Sequence, residues 1–344
     1  MNAKRLIGSL ALLLSAAVLP GAASAQDGAG KTLVVGTWGG DIERLLKQNA
    51  AGPLEADTGA KVEFLLGGSG DRVSKIYAER SNPTMDVAFV NIYEAPQLLK
   101  DGLVEAPDPD SAMFKDVWDG MNKGCYAMSL VGLGIAYNKE AFATPPEWAD
   151  LWKPEYKGKI AQATYPGSEG DGILGVAARL AGKDEHDADA AFKKLAELGP
   201  PALTYTSLDE VFAQMDAGEV VAAPMISGYV LAGLKQWKNI GFSFPKSPGP
   251  VLVRDMVCIV KGAPNPDLAK RFVALALGVK NQTDYAEQLY FGPTNKTVKL
   301  SPEVSADVID KPEEVDSLLQ LDWPYVIEQR AAWTERWNKE ILGQ

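Results

Sequence analysis

The chain has one histidine, two cysteines and, beyond its first 25 residues, no apolar run long enough to span a bilayer. Each shortage excludes a class of function. His186 lies in the charged stretch KDEHDAD at 183–189, which reads as a solvated turn or helix start. A Ser-His-Asp or Cys-His mechanism therefore has only a badly placed base. Cys125 and Cys258 belong to no CxxC pair and have no neighbouring histidine. A zinc site of the usual Cys/His kind needs three or four ligands and is excluded, and no residue pattern calls for a cofactor. Basic residues are also short: 34 Lys and Arg stand against 45 Asp and Glu, a formal charge of -11. Nucleic-acid binding needs clustered Lys and Arg to neutralise phosphates, so it is not expected. Paired carboxylates as catalytic groups remain open on composition alone.

What is present begins at the N-terminus. Lys4 and Arg5 form a basic head, Leu6 to Leu19 an apolar core, and Pro20-Gly21 a break. Ala23-Ser24-Ala25 then presents small side chains before Gln26. This is the three-part layout of a secretory signal peptide cleaved near Ala25. The core is shorter than the roughly 20 residues that span a bilayer, which disfavours an anchor. The expected product is a soluble periplasmic protein of about 319 residues, enough for two lobes. Lys4 and Arg5 are the leader's only charges, so the mature chain keeps 32 basic and 45 acidic residues, a net of -13. In an oxidising compartment Cys125 and Cys258 can form a disulfide; alternatively they remain two buried thiols.

Strand-like and helix-like runs alternate from the mature start. Leu33-Val34-Val35 reads as a strand and Gly36 to Gly40 as a turn, with Ile42, Leu45, Leu46, Ala50 and Leu54 at helical spacing. Lys61 to Leu66 is a second strand, a helix follows over 71–80, and Asp86 to Val90 is a third strand. This βαβαβ order predicts a parallel sheet covered by helices, with ligands beyond the carboxyl ends of its strands. Those ends are Trp38, Gly67–Gly70 and Asn91–Tyr93. A second unit starts after Leu130 with the glycine-containing strand VGLGIAYN at 131–138. Helices are expected over 173–182 and 188–198, and strands over 220–225 and 255–260. The tail from Trp323 reads as a helix capped by Asp322, with Pro324 in its first turn. Its stripe of Trp333, Trp337 and Ile341 reads as packing against a lobe.

Five segments in order resemble the periplasmic solute-binding proteins of ABC importers, of the type that includes spermidine/putrescine receptors. They are TWGGD at 37–41, DVAFVNIYEAPQL at 86–98, GIAYN at 134–138, EWADLWKPEYKGKI at 147–160 and GPTNKTVKLSPEV at 292–304. The resemblance implies a type II periplasmic-binding fold: two α/β lobes, each a mixed, mainly parallel sheet flanked by helices, joined by a multi-strand hinge. By analogy lobe I is 26–130 plus 255–298 and lobe II is 131–254 plus 299–344. The implied protein is a monomer and no enzyme. It closes on a small-molecule ligand and delivers it to an inner-membrane permease.

The same resemblance suggests a ligand site. Polyamine-binding relatives set aromatic rings against a methylene chain and carboxylates against its ammonium groups, which is sound physics. Trp38 and Asp41 fall where such receptors place their first contacts, although an acid in a helix's first turn complements the dipole with any ligand. Asn91 and Tyr93 match a polar residue and an aromatic of the pattern. Ser69 sits at a helix start whose free amides can cradle an anion. Tyr165, Ser168, Glu169 and Asp171 occupy the turn where relatives carry paired acids, and which acid faces the cleft is left open. Ser227 and Tyr229 match a segment in which a tryptophan is replaced by Ile226. Val253-Arg254-Asp255 matches a Trp-x-Asp triplet with its aspartate kept. Two lost aromatics weaken a long diamine as ligand. Arg254 and Asp255 can instead clasp an amino-acid-like molecule, but adjacent strand residues point to opposite faces, and Asp255 is the better candidate. The expected ligand is a small cationic or zwitterionic amine. Alternatives are ferric ion or an organophosphonate, since GGSGDRVSKIYAERSNPTMDV at 67–87 also resembles those receptors, and an exported carboxylate-pair hydrolase. No adjacent tyrosine pair occurs, which disfavours iron.

Overall fold

A computed structural model describes residues 27–253 and 255–343. The expected signal peptide and Arg254 lie outside the described residues. Twelve strands appear in chain order: β1 (Thr32–Thr37), β2 (Lys61–Leu66), β3 (Val87–Asn91), β4 (Tyr126–Ala127), β5 (Ser129–Asn138), β6 (Gln162–Ala163), β7 (Thr204–Tyr205), β8 (Ala222–Ile226), β9 (Ile240–Ser243), β10 (Val251–Val253), β11 (Asp255–Ile259) and β12 (Gly292–Pro293). They form one five-stranded sheet in the order β2-β1-β3-β11-β4 and a second built around β5, with β6 and β7 paired apart.

In the first sheet, β1 runs parallel to both β2 and β3, as the βαβαβ reading predicts. Connections through helices require that direction. Strand β11 returns antiparallel against β3 and β4, which makes the sheet mixed. Val87 to Val90 are buried throughout because helices cover both faces, so this strand is a continuous apolar run without alternation. The helix that follows β1 covers Asp41–Leu46 and Gly52–Thr58, joined by a π turn at Lys47–Ala51. It ends at Gly59 with φ 71°, a left-handed cap that glycine adopts without strain.

In the second sheet, the ten-residue β5 is buried along its whole length and carries β8, β9, β10 and β12 antiparallel to it. A Cβ at Gly134 would collide with the Ser243 carbonyl, so glycine permits the close approach of β9. The chain passes between the sheets three times, from Ala127 to Ser129, from Val253 to Asp255 and between Ile259 and Gly292, the first two in adjacent places. Cys125 and Cys258 are joined as a disulfide with Cα atoms 4.9 Å apart. The bridge ties the segment before the first passage to β11.

The predicted helices form over Ser69–Ala78, Ser168–Leu180, Ala188–Ala196 and Trp323–Arg336. The second starts about five residues before its expected place, drawing the whole SEGD turn into its first turn. In the tail helix, Asp322 accepts from the Tyr325 N–H at 3.2 Å, as its capping role requires. Trp333, Trp337 and Ile341 are all buried. Among the described residues no helix is long and apolar enough to cross a membrane.

Candidate functional site

The carboxyl ends of β1 and β3 and the start of helix 69–78 converge on one polar cluster. Trp38 leaves β1 on a glycine turn, and the Arg72 guanidinium lies 4.5 Å from its ring centroid. Arg72 crosses β1 at Gly36, where a Cβ would sit 2.6 Å from its stem. It is only 2 % exposed. Its Nε donates to the Phe89 carbonyl at 2.7 Å and its Nη1 to Gly67 at 2.6 Å. Nη2 is buried without a hydrogen-bond partner. Burial lowers the Arg72 pKa to about 10, against the opposing pull of Glu94, Asp255 and Asp71. Beside it, Asn91 donates through Nδ2 to the Ser69 hydroxyl at 2.6 Å and to the Tyr93 hydroxyl at 2.9 Å. Ser69 donates onward to Glu94 at 3.0 Å, and the Asn91 N–H reaches the other Glu94 oxygen at 2.8 Å.

Antiparallel register places Asp255 directly opposite Asn91, which brings the aspartate of β11 to the same cluster. The Ser129 hydroxyl donates to its Oδ2 at 3.3 Å. Asp255 keeps some solvent access although protein surrounds it, the situation of a group on the floor of a cleft. Desolvation raises its pKa to about 7, against a weaker opposing effect of Ser129 and Arg72. Behind it, the buried Tyr285 hydroxyl has no hydrogen-bond partner.

The facing wall comes from helices 168–180 and 323–336. Asp171 is fully buried, accepts from the Tyr165 hydroxyl at 2.9 Å and takes Nε of Arg330 at 2.9 Å, with Nη2 of the same guanidinium on the same oxygen. Burial drives the Asp171 carboxyl up, and Arg330 and Tyr165 hold against it. Tyr165 stacks on Trp337 with centroids 4.8 Å apart, so the tail helix braces this acid from behind. Arg330 lies 4.0 Å over the Tyr93 ring, and Trp323 packs on the same ring at 5.8 Å. Glu169, in the first turn of its helix, forms no ion pair among the described residues. Burial raises its pKa, and Asp171 adds to the rise. Tyr229 is 42 % exposed yet strongly desolvated, again the mark of a cleft wall. Its hydroxyl pKa is raised by burial and by the charges of Asp255 and Glu169.

The structure thus brings together Trp38, Ser69, Asn91, Tyr93, Tyr165, Glu169, Asp171, Tyr229 and Asp255. It leaves three sequence candidates outside the network. Asp41 is exposed and pairs with Arg44 at 2.9 Å, serving the start of its own helix. Ser227 is buried and accepts from the Gly132 N–H at 3.4 Å, tying its helix to β5. Ser168 is buried at the helix start. Sequence reasoning missed Arg72, Glu94, Arg330 and Ser129. His186 stacks on Tyr325 at 4.3 Å, beside a surface hollow of about 790 Å³ lined by Arg179, Lys183 and Asp184, among others.

The buried side-chain polar atoms without a hydrogen-bond partner among the described residues lie in this cluster or behind it. The five are on Thr37, Arg72, Tyr285, Trp323 and Trp337. Thr37 precedes Trp38, and the two tryptophans pack on Tyr93 and Tyr165.

The family described as bacterial extracellular solute-binding protein matches residues 49–312. A gamma-aminobutyric acid-binding protein of Pseudomonas aeruginosa is 27% identical, over 91% of this chain and 94% of that protein. Spermidine/putrescine-binding periplasmic protein 1 of Haemophilus influenzae is 24% identical over 78% of each. Among solved structures, an ABC transporter protein from Clostridium perfringens superimposes with a TM-score of 0.79 and 28% identity, covering 90% of this chain and 99% of the other.

Proposed function

Since the chain belongs to the bacterial extracellular solute-binding protein family, whose members bind small molecules and work with ABC permeases, we propose that it captures a small amine in the periplasm. Residues 1–25 direct export and are removed. The first sheet with its helices is one lobe and the second sheet with its helices the other. The paired passages at 127–129 and 253–255 act as hinge strands. Closure brings the Asn91–Glu94 loop against the two facing helices and presents the closed form to a permease. The family is one of transport receptors, so the clustered acids act by binding.

One observation carries the choice of ligand. Of the four clustered acids, Asp171 is paired with Arg330, and Glu94 takes donors on both oxygens. Asp255 and Glu169 are held in desolvated positions, and among the described residues no cation pairs with either. A ligand ammonium between them removes the cost of keeping carboxylates out of water. Tyr229, near both acids, offers a ring face to the same charge.

Thermal denaturation of the mature protein against amines, sugars, simple carboxylates and ferric citrate tests this reading. A ligand at a hundred times its dissociation constant adds ~2.7 kcal/mol of stability. Stabilisation by one or more amines is expected. A shift with a simple anion or sugar and with no amine overturns the reading.

A further inference from the structure

The amine reading does not say what stands at the other end of the ligand, and the arrangement of the two arginines does. We propose, building on that reading, that the site takes a short aliphatic zwitterion, an ammonium joined to a carboxylate or phosphonate, with Arg330 holding the anionic end. Diamines are rejected.

The first support is the division of charges between the two tyrosines. Asp255 and Glu169, neither ion-paired among the described residues, act on Tyr229, whereas Tyr93 feels Glu94 and Asp171, which already have their donors, and the Arg330 guanidinium that lies over its ring. A ligand lying along this pair of rings meets carboxylates at one end and a guanidinium at the other.

The second is the occupancy of the aromatic faces. A second ammonium would need a ring face or a free acid. Arg330 already covers a face of Tyr93 at 4.0 Å, and Arg72 covers a face of Trp38 at 4.5 Å. The two acids beside these rings, Asp171 and Glu94, already have their donors. A cation at this end meets two resident guanidinium groups, and the carboxylates beside these rings, Asp171 and Glu94, already have donors.

The third is the geometry of Arg330 itself. Nε and Nη2 both point at Asp171, which fixes the plane of the guanidinium. Nη1 takes no part in the Asp171 contact, and the side chain, which also interacts with the Tyr93 hydroxyl, keeps 20% of its exposure. A guanidinium held in one plane is suited to a planar carboxylate or to phosphonate oxygens. The tail helix fixes this placement, because Arg330 falls on the same stripe as Trp333 and Trp337.

Titration calorimetry on the mature protein with 4-aminobutanoate, 2-aminoethylphosphonate, putrescine and butyrate tests the assignment. One of the two zwitterions is expected to bind roughly 100-fold or more tighter than putrescine, the scale of one charge-assisted contact exchanged for a like-charge clash. The carboxylate and phosphonate arms identify the anionic group. Arg330→Gln is expected to weaken the zwitterion by roughly 10- to 100-fold while leaving putrescine unchanged or tighter. Arg330→Lys, which keeps the charge but loses the fork, retains part of the affinity. The ratio of zwitterion to diamine affinity is the readout, since a merely structural role for Arg330 would weaken both alike. Should Arg330→Gln fail to fold with Asp171 unpaired, Arg330→Gln with Asp171→Asn removes the buried charge and gives the same ratio. Putrescine binding as tightly as both zwitterions, or an unchanged ratio in the variants, overturns the assignment while the amine reading stands. Binding of butyrate with no amine overturns both.

Discussion

On the proposed reading, Asp255 is the residue at which pH and ligand meet. Its pKa is raised to about 7, so within the folded protein it binds a proton that the unfolded chain, titrating near 4, has already released. Between these values the native state holds more protons, and this group's contribution to stability falls as pH rises through about 7. The ligand-free protein should therefore lose stability from pH 5 to 8 by an amount that Asp255→Asn removes, with about 3 kcal/mol as the upper bound, since about two pH units of the shift fall in that window. Amine binding should run the opposite way, because only the carboxylate attracts the ammonium: affinity should weaken up to tenfold per unit as pH falls below 7. Denaturant titrations and calorimetry at pH 5, 6, 7 and 8 on both proteins check the two slopes. Equal slopes in wild type and Asp255→Asn would remove Asp255 from the site. Asp255 was legible in the sequence because it survives within a three-residue match; the arginines were not, because each looks like an ordinary helical charge. Their one signal is position. Arg72 shares the buried face of Ser69 and Ile76, and Arg330 the stripe of Val326, Trp333 and Trp337. A charge on an apolar face needs partners, and those partners come from segments far away in the chain, which periodicity does not name.

At the scale of elements, the tail helix reads well from sequence because cap, proline and stripe all agree. Its role in the site does not, since the stripe gives packing and not what it packs on. Trp337 is fully buried against Tyr165, which holds Asp171, which holds Arg330. Trp337→Ala should cost about 3–5 kcal/mol in urea unfolding, the range for emptying a large aromatic position. It should also weaken ligand binding, although Trp337 stands behind the wall. A stability loss with intact affinity would show that Asp171 keeps its place without this brace. The disulfide works on another element, β11, which carries Asp255. Closing a loop of 133 residues stabilises by about 5 kcal/mol on the chain-entropy estimate. Replacing Cys125 and Cys258 together with alanine should lower the unfolding free energy by up to that amount, and dithiothreitol should lower the wild-type melting temperature but not the variant's. Equal stability with and without reductant would leave the cysteines as two small hydrophobes. The sequence left that choice open because pairing depends on the register of β4 against β11, which spacing alone does not fix.

For the whole molecule, affinity depends on how far the closed form is populated before ligand arrives. Contacts across the proposed seam include Arg330 and Trp323 on Tyr93, Lys235 5.5 Å over the Tyr290 ring, Phe291 packed over Gly228, and Lys123 donating to Gln320 at 3.4 Å. Such a surface is worth only a few kcal/mol, so the open form stays accessible and ligand tips the balance. Apparent affinity then equals intrinsic affinity scaled by the closed fraction. Trp323 separates this effect from ligand contact, since it is buried behind Tyr93 and reaches the ligand only through that ring. Trp323→Leu keeps apolar bulk and removes the ring pair, whose loss is worth ~0.5–1.5 kcal/mol. The expected result is binding weaker by roughly 2- to 10-fold, expressed as faster ligand release with little change in association. Solution X-ray scattering should show the wild type contracting on ligand addition, and the variant reaching the same compact form only at higher ligand concentration. Unchanged release rates, or no contraction in the wild type, would mean that the two sheets do not move against each other and that the cleft is loaded without closure.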